Sequence, residues 1–196
     1  MCKFSEDSRQ KLGNAVIYIA NHTEQLSKTK LLKLLFLMEE YMVKRYHVRF
    51  MGLPFEIWQA GPVAKDIFID LSDGPFLLKD FVKTEVQKDA TYIRAIKPFC
   101  DDEFSDCEME MMDEIIRKYG KKTAKQLVAE VHKEGSLWFN AAKKHGLLTA
   151  FNKGLCNNSD YTIDFSEELS DCAREDYKES LAIHQTANIL KAQEHV

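Results

Sequence analysis

The sequence lacks a long apolar run. Its longest nearly apolar stretch, residues 31–38, contains Lys33 and is closed by Glu39 and Glu40, whereas a membrane-spanning helix requires roughly 20 apolar residues. The first residues carry charge but have neither the apolar core nor the small-residue cleavage site of a signal peptide. We therefore expect a soluble protein with a cytoplasmic location and no membrane partner.

The patterns that usually mark metal, cofactor and catalytic sites are also missing. The five cysteines include no C-x-x-C pair, the six histidines include no H-x-x-x-H or H-E-x-x-H spacing, and the eight glycines are isolated from one another. These absences argue against a disulfide framework, a dedicated zinc site and a phosphate-binding loop. We expect reduced thiols, no metal, no cofactor, no catalytic residues and no enzymatic activity; a cysteine or metal hydrolase is the last-ranked alternative.

Acidic residues outnumber basic ones in this sequence. The chain has a net charge of -4, with ten Lys/Arg against seven Asp/Glu over residues 1–66 and 17 against 24 over residues 67–196. Neutralisation of phosphates supplies much of the affinity of proteins for duplex DNA. The acidic balance therefore makes nucleic acid the weaker candidate partner, and a DNA-binding regulator is kept as the alternative function.

Most of the sequence has the apolar periodicity of helices. Apolar residues recur at helical spacing in most segments, and short runs rich in Val, Ile, Phe and Tyr are typical of strands. The predicted helices cover residues 9–21, 30–46, 63–72, 105–120, 124–133, 137–145 and 166–192, and the predicted strands cover residues 55–59, 81–87 and 92–97. Pro62 is predicted to open the third helix and residues 150–163 to form a loop. The predicted fold class is mainly α (α+β), a helical domain with a small antiparallel sheet of two strands, or of three if the first strand joins the hairpin.

A few polar and aromatic residues are candidates for a site. Lys30 and Lys33 are three residues apart and share one helix face, where we expect them to form the polar edge of a buried helix. Trp58 is predicted to cover the helix that Pro62 opens, and a contact surface is the alternative. His132 falls in the last turn of its helix, where the helix dipole favours a cation. Trp58 and His132 therefore each have two possible roles, a structural one and a binding one.

Three short segments follow one another in a particular order and spacing. They are K-L-L-K-L-L-F at residues 30–36, E-I-W-Q-A-G-P-V at 56–63, and the stretch from Tyr119 to Trp138 that ends in H-K-E-G-S-L-W. Together they resemble the Panacea domain, the SocA-like antitoxin family that also includes phage-associated GepA-like proteins. The resemblance covers about residues 12–145.

The resemblance implies an antitoxin that neutralises a toxin by direct protein contact, and in some relatives also delivers it to a protease. The expected partner is a cognate protein toxin encoded next door; a Clp-type protease and a second copy of the chain are further candidates. The alternative becomes a DNA-binding regulator of a phage or mobile-element operon. The residues carried over as partner-binding or motif positions are Lys30, Lys33, Trp58, Gly61, Pro62, Val63, His132, Glu134 and Trp138.

The two ends of the chain relate differently to this family. Residues 1–145 are predicted to form the Panacea-like helical domain. Residues 146–196 are predicted to form a C-terminal loop and polar helix that pack on this domain or extend from it. Because the tail matches nothing in the family, we take the helix from Ser166 onward as a hypothetical specificity element.

Overall fold

Helices make up most of the chain. The computed structural model describes residues 5–72, 74–88 and 90–194. The helices are α1 (Glu6–His22), α2 (Lys28–Tyr46), α3 (Lys65–Asp70), α4 (Asp106–Tyr119), α5 (Ala124–Val131), α6 (Leu137–Lys144), α7 (Leu147–Asn152) and α8 (Asp171–Glu194). The strands are β1 (Glu56–Trp58), β2 (Gly61–Val63), β3 (Val82–Gln87) and β4 (Ala90–Ala95), and a 3₁₀ turn at Phe165–Glu168 precedes α8. The predicted fold class, mainly α with a small β component, is confirmed.

Helix α2 is the central element. Every residue from Lys30 to Glu39 is buried, because α4, α5, β2, β4 and the 3₁₀ turn pack around the helix. A helix that is apolar over most of its circumference belongs in a core, as its sequence predicts. Ser27 caps its start, with the side-chain hydroxyl accepting a hydrogen bond from the Lys30 amide at 3.3 Å.

Side-chain caps fix the three helices that follow the hairpin. Ser105, Thr123 and Ser136 cap α4, α5 and α6, as predicted. At α4 and α5 the cap is a reciprocal capping box, completed by Glu108 and Gln126. The Ser136 cap sets where α6 begins, and the α5–α6 junction just before it carries two of the candidate residues, His132 and Glu134.

The first hairpin differs from its prediction in two ways. Strand β1 pairs with β2, in the register Trp58 to Gly61, and not with the separate β3–β4 hairpin. Pro62 lies within β2 and does not open a helix, since α3 begins only at Lys65. The physical reason is the two-residue loop after Trp58: Gly61 adopts a φ of +96° to close it, and the Pro62 carbonyl then accepts a hydrogen bond from Lys33.

The predicted loop at 150–163 is wrong in its first part. Residues there belong to α7, because Leu147 and Phe151 lie one turn apart and are both buried. The second part runs antiparallel beside β1. The Ile57 amide donates to the Tyr161 carbonyl at 2.9 Å, and the Ile163 amide donates to the Phe55 carbonyl at 2.8 Å. Strand β1 is therefore hydrogen-bonded on both sides.

The C-terminal segment contributes to the core. The predicted helix from Ser166 is replaced by the 3₁₀ turn followed by α8, which begins at Asp171. Phe165, Leu169 and Tyr177 are buried in the same core as α2. Their burial shows that residues 165–177 are packed on the domain.

Two further findings concern predictions made above. Within the described ranges, no helix is long and apolar enough to cross a membrane. Cys100, Cys107, Cys156 and Cys172 are free thiols, and Cys2 lies outside the described residues.

Candidate functional site

Lys33 is the most unusual side chain of the core. It is 1% exposed, and its ammonium donates a 2.8 Å hydrogen bond to the Pro62 carbonyl. No carboxylate of the described residues forms an ion pair with it, and Glu134, another of the candidate residues, is exposed. Burial lowers the Lys33 pKa from 10.5 to about 7. The expectation that Lys33 is a polar edge residue is therefore wrong.

Gly61 lets the hairpin approach Lys33 closely. A Cβ atom at this position would lie 2.9 Å from Cε of Lys33 and 3.0 Å from Cγ2 of Val131. Its left-handed φ is a second reason for glycine. The K-L-L-K-L-L-F segment and the G-P-V segment therefore pack on each other.

The third segment contributes His132 and Trp138. Their rings are stacked, with centroids 3.9 Å apart and planes 9° from parallel. The indole Nε1 of Trp138 donates to the Trp58 carbonyl at 3.2 Å, which ties α6 to β1. Trp138 is itself buried. All three segments therefore meet around the β1–β2 hairpin.

His132 is uncharged near neutral pH. Burial, and secondly the nearby charge of Lys33, lower the His132 pKa from 6.5 to about 4. The helix-dipole argument predicted a cation here, but the loss of hydration outweighs the dipole. Its Nε2 atom is buried and has no hydrogen-bond partner within the described structure. His132 is thus a neutral ring that lies over Trp138.

The remaining candidates are placed as follows. Trp58 is half-buried and packs edge-on against Phe68 of α3, with centroids 5.0 Å apart, so it covers this helix as predicted. Its Nε1 donates to Glu56 at 2.8 Å. Val63 is buried in β2 opposite Glu56.

Lys30 is separate from this centre. It is 5% exposed, and its ammonium donates to the carbonyls of Gly120 at 2.7 Å and Glu24 at 3.2 Å. Burial lowers its pKa. Lys30 therefore joins α2 to the α4–α5 turn, and it too is not the exposed edge that the sequence suggested.

An open groove of about 570 Å³ adjoins His132 and Trp138. Its apolar lining is Trp138, Phe139, Leu148 and Phe151, and its polar lining is Gln59, His132 and Asn152. We call it the α6–α7 groove. The Trp138 and Phe151 rings lie nearly parallel beneath it, 6.3 Å apart.

The chain matches one known protein family. The family model described as antitoxin SocA-like, Panacea domain, matches residues 31–139. The chain belongs to this family. Neither the curated proteins nor the solved structures gave a match.

The matched part of this Panacea-domain protein begins just after Lys30 and ends just after Trp138. It contains the Lys33 ammonium, the hairpin that covers it and the His132–Trp138 stack. It excludes α7, which forms part of the groove, and α8, which forms part of the core.

The groove residues outside the recognised segments were not predicted. Leu148, Phe151 and Asn152 lie on a helix of the Panacea-domain protein that the sequence analysis did not assign. The spacing of Leu147 and Phe151 was the one available signal, and a single pair is a weak one. Phe139 lies on a correctly predicted helix, but nothing in its sequence context shows that it faces a groove.

The described part of the Panacea-domain protein contains no group of three His, Cys, Asp or Glu side chains arranged to hold a metal ion.

Proposed function

We propose that this protein is the antitoxin of a toxin–antitoxin pair, and that it neutralises its toxin in the cytoplasm by stoichiometric binding without catalysing a reaction. Its membership of the SocA-like antitoxin family carries the proposal. The geometry supports it. The family segments meet in a buried centre joined by hydrogen bonds, and a largely apolar groove beside that centre is open to a partner.

Co-expression tests this proposal. The product of the neighbouring gene should arrest growth when expressed alone, and growth should return when the antitoxin is expressed at equal or greater amount. The two proteins should purify together in a fixed ratio. A harmless neighbour would contradict neutralisation by binding, and so would rescue by substoichiometric antitoxin in cells that lack Clp-type proteases.

A role as a proteolytic adaptor is an extension of the same proposal. It predicts that the bound toxin is degraded faster in cells that contain a Clp-type protease than in cells that lack it. Equal toxin half-lives with unchanged rescue would leave neutralisation by binding alone.

One observation favours the second candidate function, DNA binding by a regulator. Residues 117–153 hold nine Lys/Arg against two Asp/Glu, whereas the rest of the chain holds 18 against 29. A local excess of +7 in an acidic protein is the kind of charge distribution that phosphates recognise. A promoter fragment that binds with steep salt dependence would support this function.

A further inference from the structure

The β3–β4 hairpin has one open edge. In an antiparallel pair, the backbone groups of successive residues point alternately toward the partner strand and away from it. Ile93 of β4 donates its amide to the Leu26 carbonyl at 2.9 Å, away from β3. Thr84 lies opposite Ile93, so its amide and carbonyl point away from β4, and those of Val86 do the same. No other strand among the described residues pairs with β3.

The opposite edge of the hairpin is covered. Beside the hydrogen bond between Ile93 and Leu26, Tyr92 of β4 forms an antiparallel bridge with Ser27. A further strand is therefore directed to β3, and one addition there uses up the open edge. Pairing of this kind closes after two copies and does not continue into a fibre.

Val86 places an apolar side chain on the open edge. Its side chain is 75% exposed, whereas Val82, on the same face of β3, is 1% exposed. Edge strands that remain unpaired usually carry charge or proline at such a position. An added strand would cover this side chain.

The solvent-facing side of the hairpin has an excess of positive charge. Lys83 and Arg94 lie directly opposite each other, and both form ion pairs with the carboxylate of Glu85, at 3.2 and 2.9 Å. Like charges directly opposite each other destabilise a strand pair. The side chain of Lys83 is 58% exposed, so its ammonium can bind a second carboxylate from an added strand.

We propose that β3 pairs antiparallel with β3 of a second copy of this chain, about a two-fold axis at Thr84. The amides of Thr84 and Val86 then donate to the carbonyls of Thr84 and Val82 of the second copy. Lys83 of each copy lies opposite Glu85 of the other, and Val86 of each copy lies beside Val82 of the other. The proposal concerns the assembly of this protein and does not depend on its antitoxin function.

Charge selects this register over its neighbours. Backbone hydrogen bonds form only where outward-pointing residues of both copies meet, so the nearest symmetric alternatives are centred on Lys83 and on Glu85. The first would bring Lys83 against Lys83, and the second would bring Glu85 against Glu85. The register centred on Thr84 brings Lys against Glu at both places, in the non-hydrogen-bonded pairs where side chains lie closest. A strand of an unrelated protein has no reason to match this pattern, so the charges favour a second copy.

The expected dimer is weak. The paired edge is short, since β3 contains six residues, and such an edge is smaller than a standard protein interface. Exposed ion pairs add little affinity and mainly fix the register. We therefore expect a dissociation constant on the order of 10 μM.

Sedimentation equilibrium of the full chain tests the dimer. Between about 1 and about 500 μM, the average mass should rise from that of one chain to that of two and then stop. A constant monomer mass over this range would overturn the proposal, and so would continued growth beyond two chains.

Single charge reversals should weaken the dimer, and mixing them should restore it. Lys83→Glu brings Glu against Glu, and Glu85→Lys brings Lys against Lys, so each variant alone should dimerise about tenfold more weakly. An equimolar mixture of the two variants restores Lys against Glu at both contacts and should regain the native affinity. The control is Lys178→Glu, at an exposed position of α8, which should dimerise as the native chain does. A mixture no tighter than the single variants would overturn the proposal.

A third variant removes hydrogen bonds at the axis. Because Thr84 points its amide away from β4, Thr84→Pro leaves the hydrogen bonds between β3 and β4 in place, while Thr84→Val keeps the amide and is the matched control. We expect Thr84→Pro to stay monomeric at about 500 μM and Thr84→Val to dimerise as the native chain does, with circular dichroism as the check that both are folded. Unchanged dimerisation of a folded Thr84→Pro protein would place the contact elsewhere. A native monomer that loses its co-purified toxin on Thr84→Pro would assign the edge to a different protein, which would also overturn the proposal.

Discussion

Two cations near α2 are treated differently by the fold. Lys33 is buried with one carbonyl as its acceptor and a neutral histidine nearby. Arg49 forms an ion pair with Glu39 and donates to the Leu53 carbonyl at 2.7 Å. A largely buried cation with a counterion remains charged, whereas one without a counterion loses its proton more easily.

The two cations therefore differ in role. Arg49 stays charged as part of the structure, whereas Lys33 can lose its proton. Gly61, Pro62 and His132, which lie near the Lys33 ammonium, come from the segment that matches the family, residues 31–139. The Arg49 centre also draws on residues beyond that segment: the guanidinium lies over Phe165, 5.2 Å from the ring centroid, and reaches the Tyr177 hydroxyl at 3.4 Å. The Arg49 centre therefore joins the C-terminal segment to the family domain.

Removing the counterion should have the largest effect. Glu39→Ala leaves the Arg49 guanidinium, whose side chain is 20% exposed, without its carboxylate, and should lower the free energy of unfolding by about 3 kcal/mol. Urea unfolding followed by circular dichroism measures this. The control is Glu40→Ala, which breaks a more exposed pair with Lys44 and should cost less than about 1 kcal/mol. Equal urea midpoints would show that the Arg49 centre is not structural.

The close approach at Lys33 should give the next largest effect. Gly61→Ala forces a side chain into a left-handed φ and against Lys33 and Val131, and should cost about 2 kcal/mol in the free energy of unfolding. Gly52 also has a positive φ, of +66°, but a Cβ there meets nothing within 4 Å. Gly52→Ala should therefore cost only about 1 kcal/mol. A cost at Gly61 no larger than at Gly52 would contradict the tight packing.

The parts of this fold that follow local rules were predictable. Ser105, Thr123 and Ser136 mark helix starts within three residues of the groups they cap, so the sequence alone locates them. The partner of Lys33 was not predictable in this way. It depends on the hairpin fold of residues 56–63, which turns the Pro62 carbonyl toward α2.

The candidate site was predicted in composition but not in arrangement. Trp58, Gly61 and Trp138 were all named from the family pattern, and they do meet around one hairpin. The burial of Trp138 could not be inferred, because it depends on α6 packing against β1. The groove was missed for a similar reason, since one wall comes from a helix with only a single spaced apolar pair.

The titration of Lys33 sharpens the comparison between the two cations. The folded pKa is about 7 and the usual value is 10.5, so between these values the unfolded state binds more protons. The free energy of unfolding should therefore rise with pH from about 7 to 10, by about 1 kcal/mol per pH unit. Arg49 adds no such slope, because a guanidinium stays charged in this range.

Lys33→Met should remove that slope. Urea unfolding at several pH values between 7 and 10 measures it, and Lys178→Met, at an exposed position of α8, is the control that should retain the native slope. If the Lys33→Met and native curves run parallel, Lys33 does not titrate in this window.

The smallest expected effect concerns the suggestion that α8 selects the partner. Deletion of residues 166–196 cannot test it, because that deletion removes Tyr177 from the core and from Arg49. Ile183 is 62% exposed on α8, so Ile183→Asp should change the free energy of unfolding by less than about 0.5 kcal/mol. If α8 does not select the partner, the Ile183→Asp protein should also neutralise the toxin fully in co-expression. Loss of neutralisation by a folded Ile183→Asp protein would place a partner contact on α8.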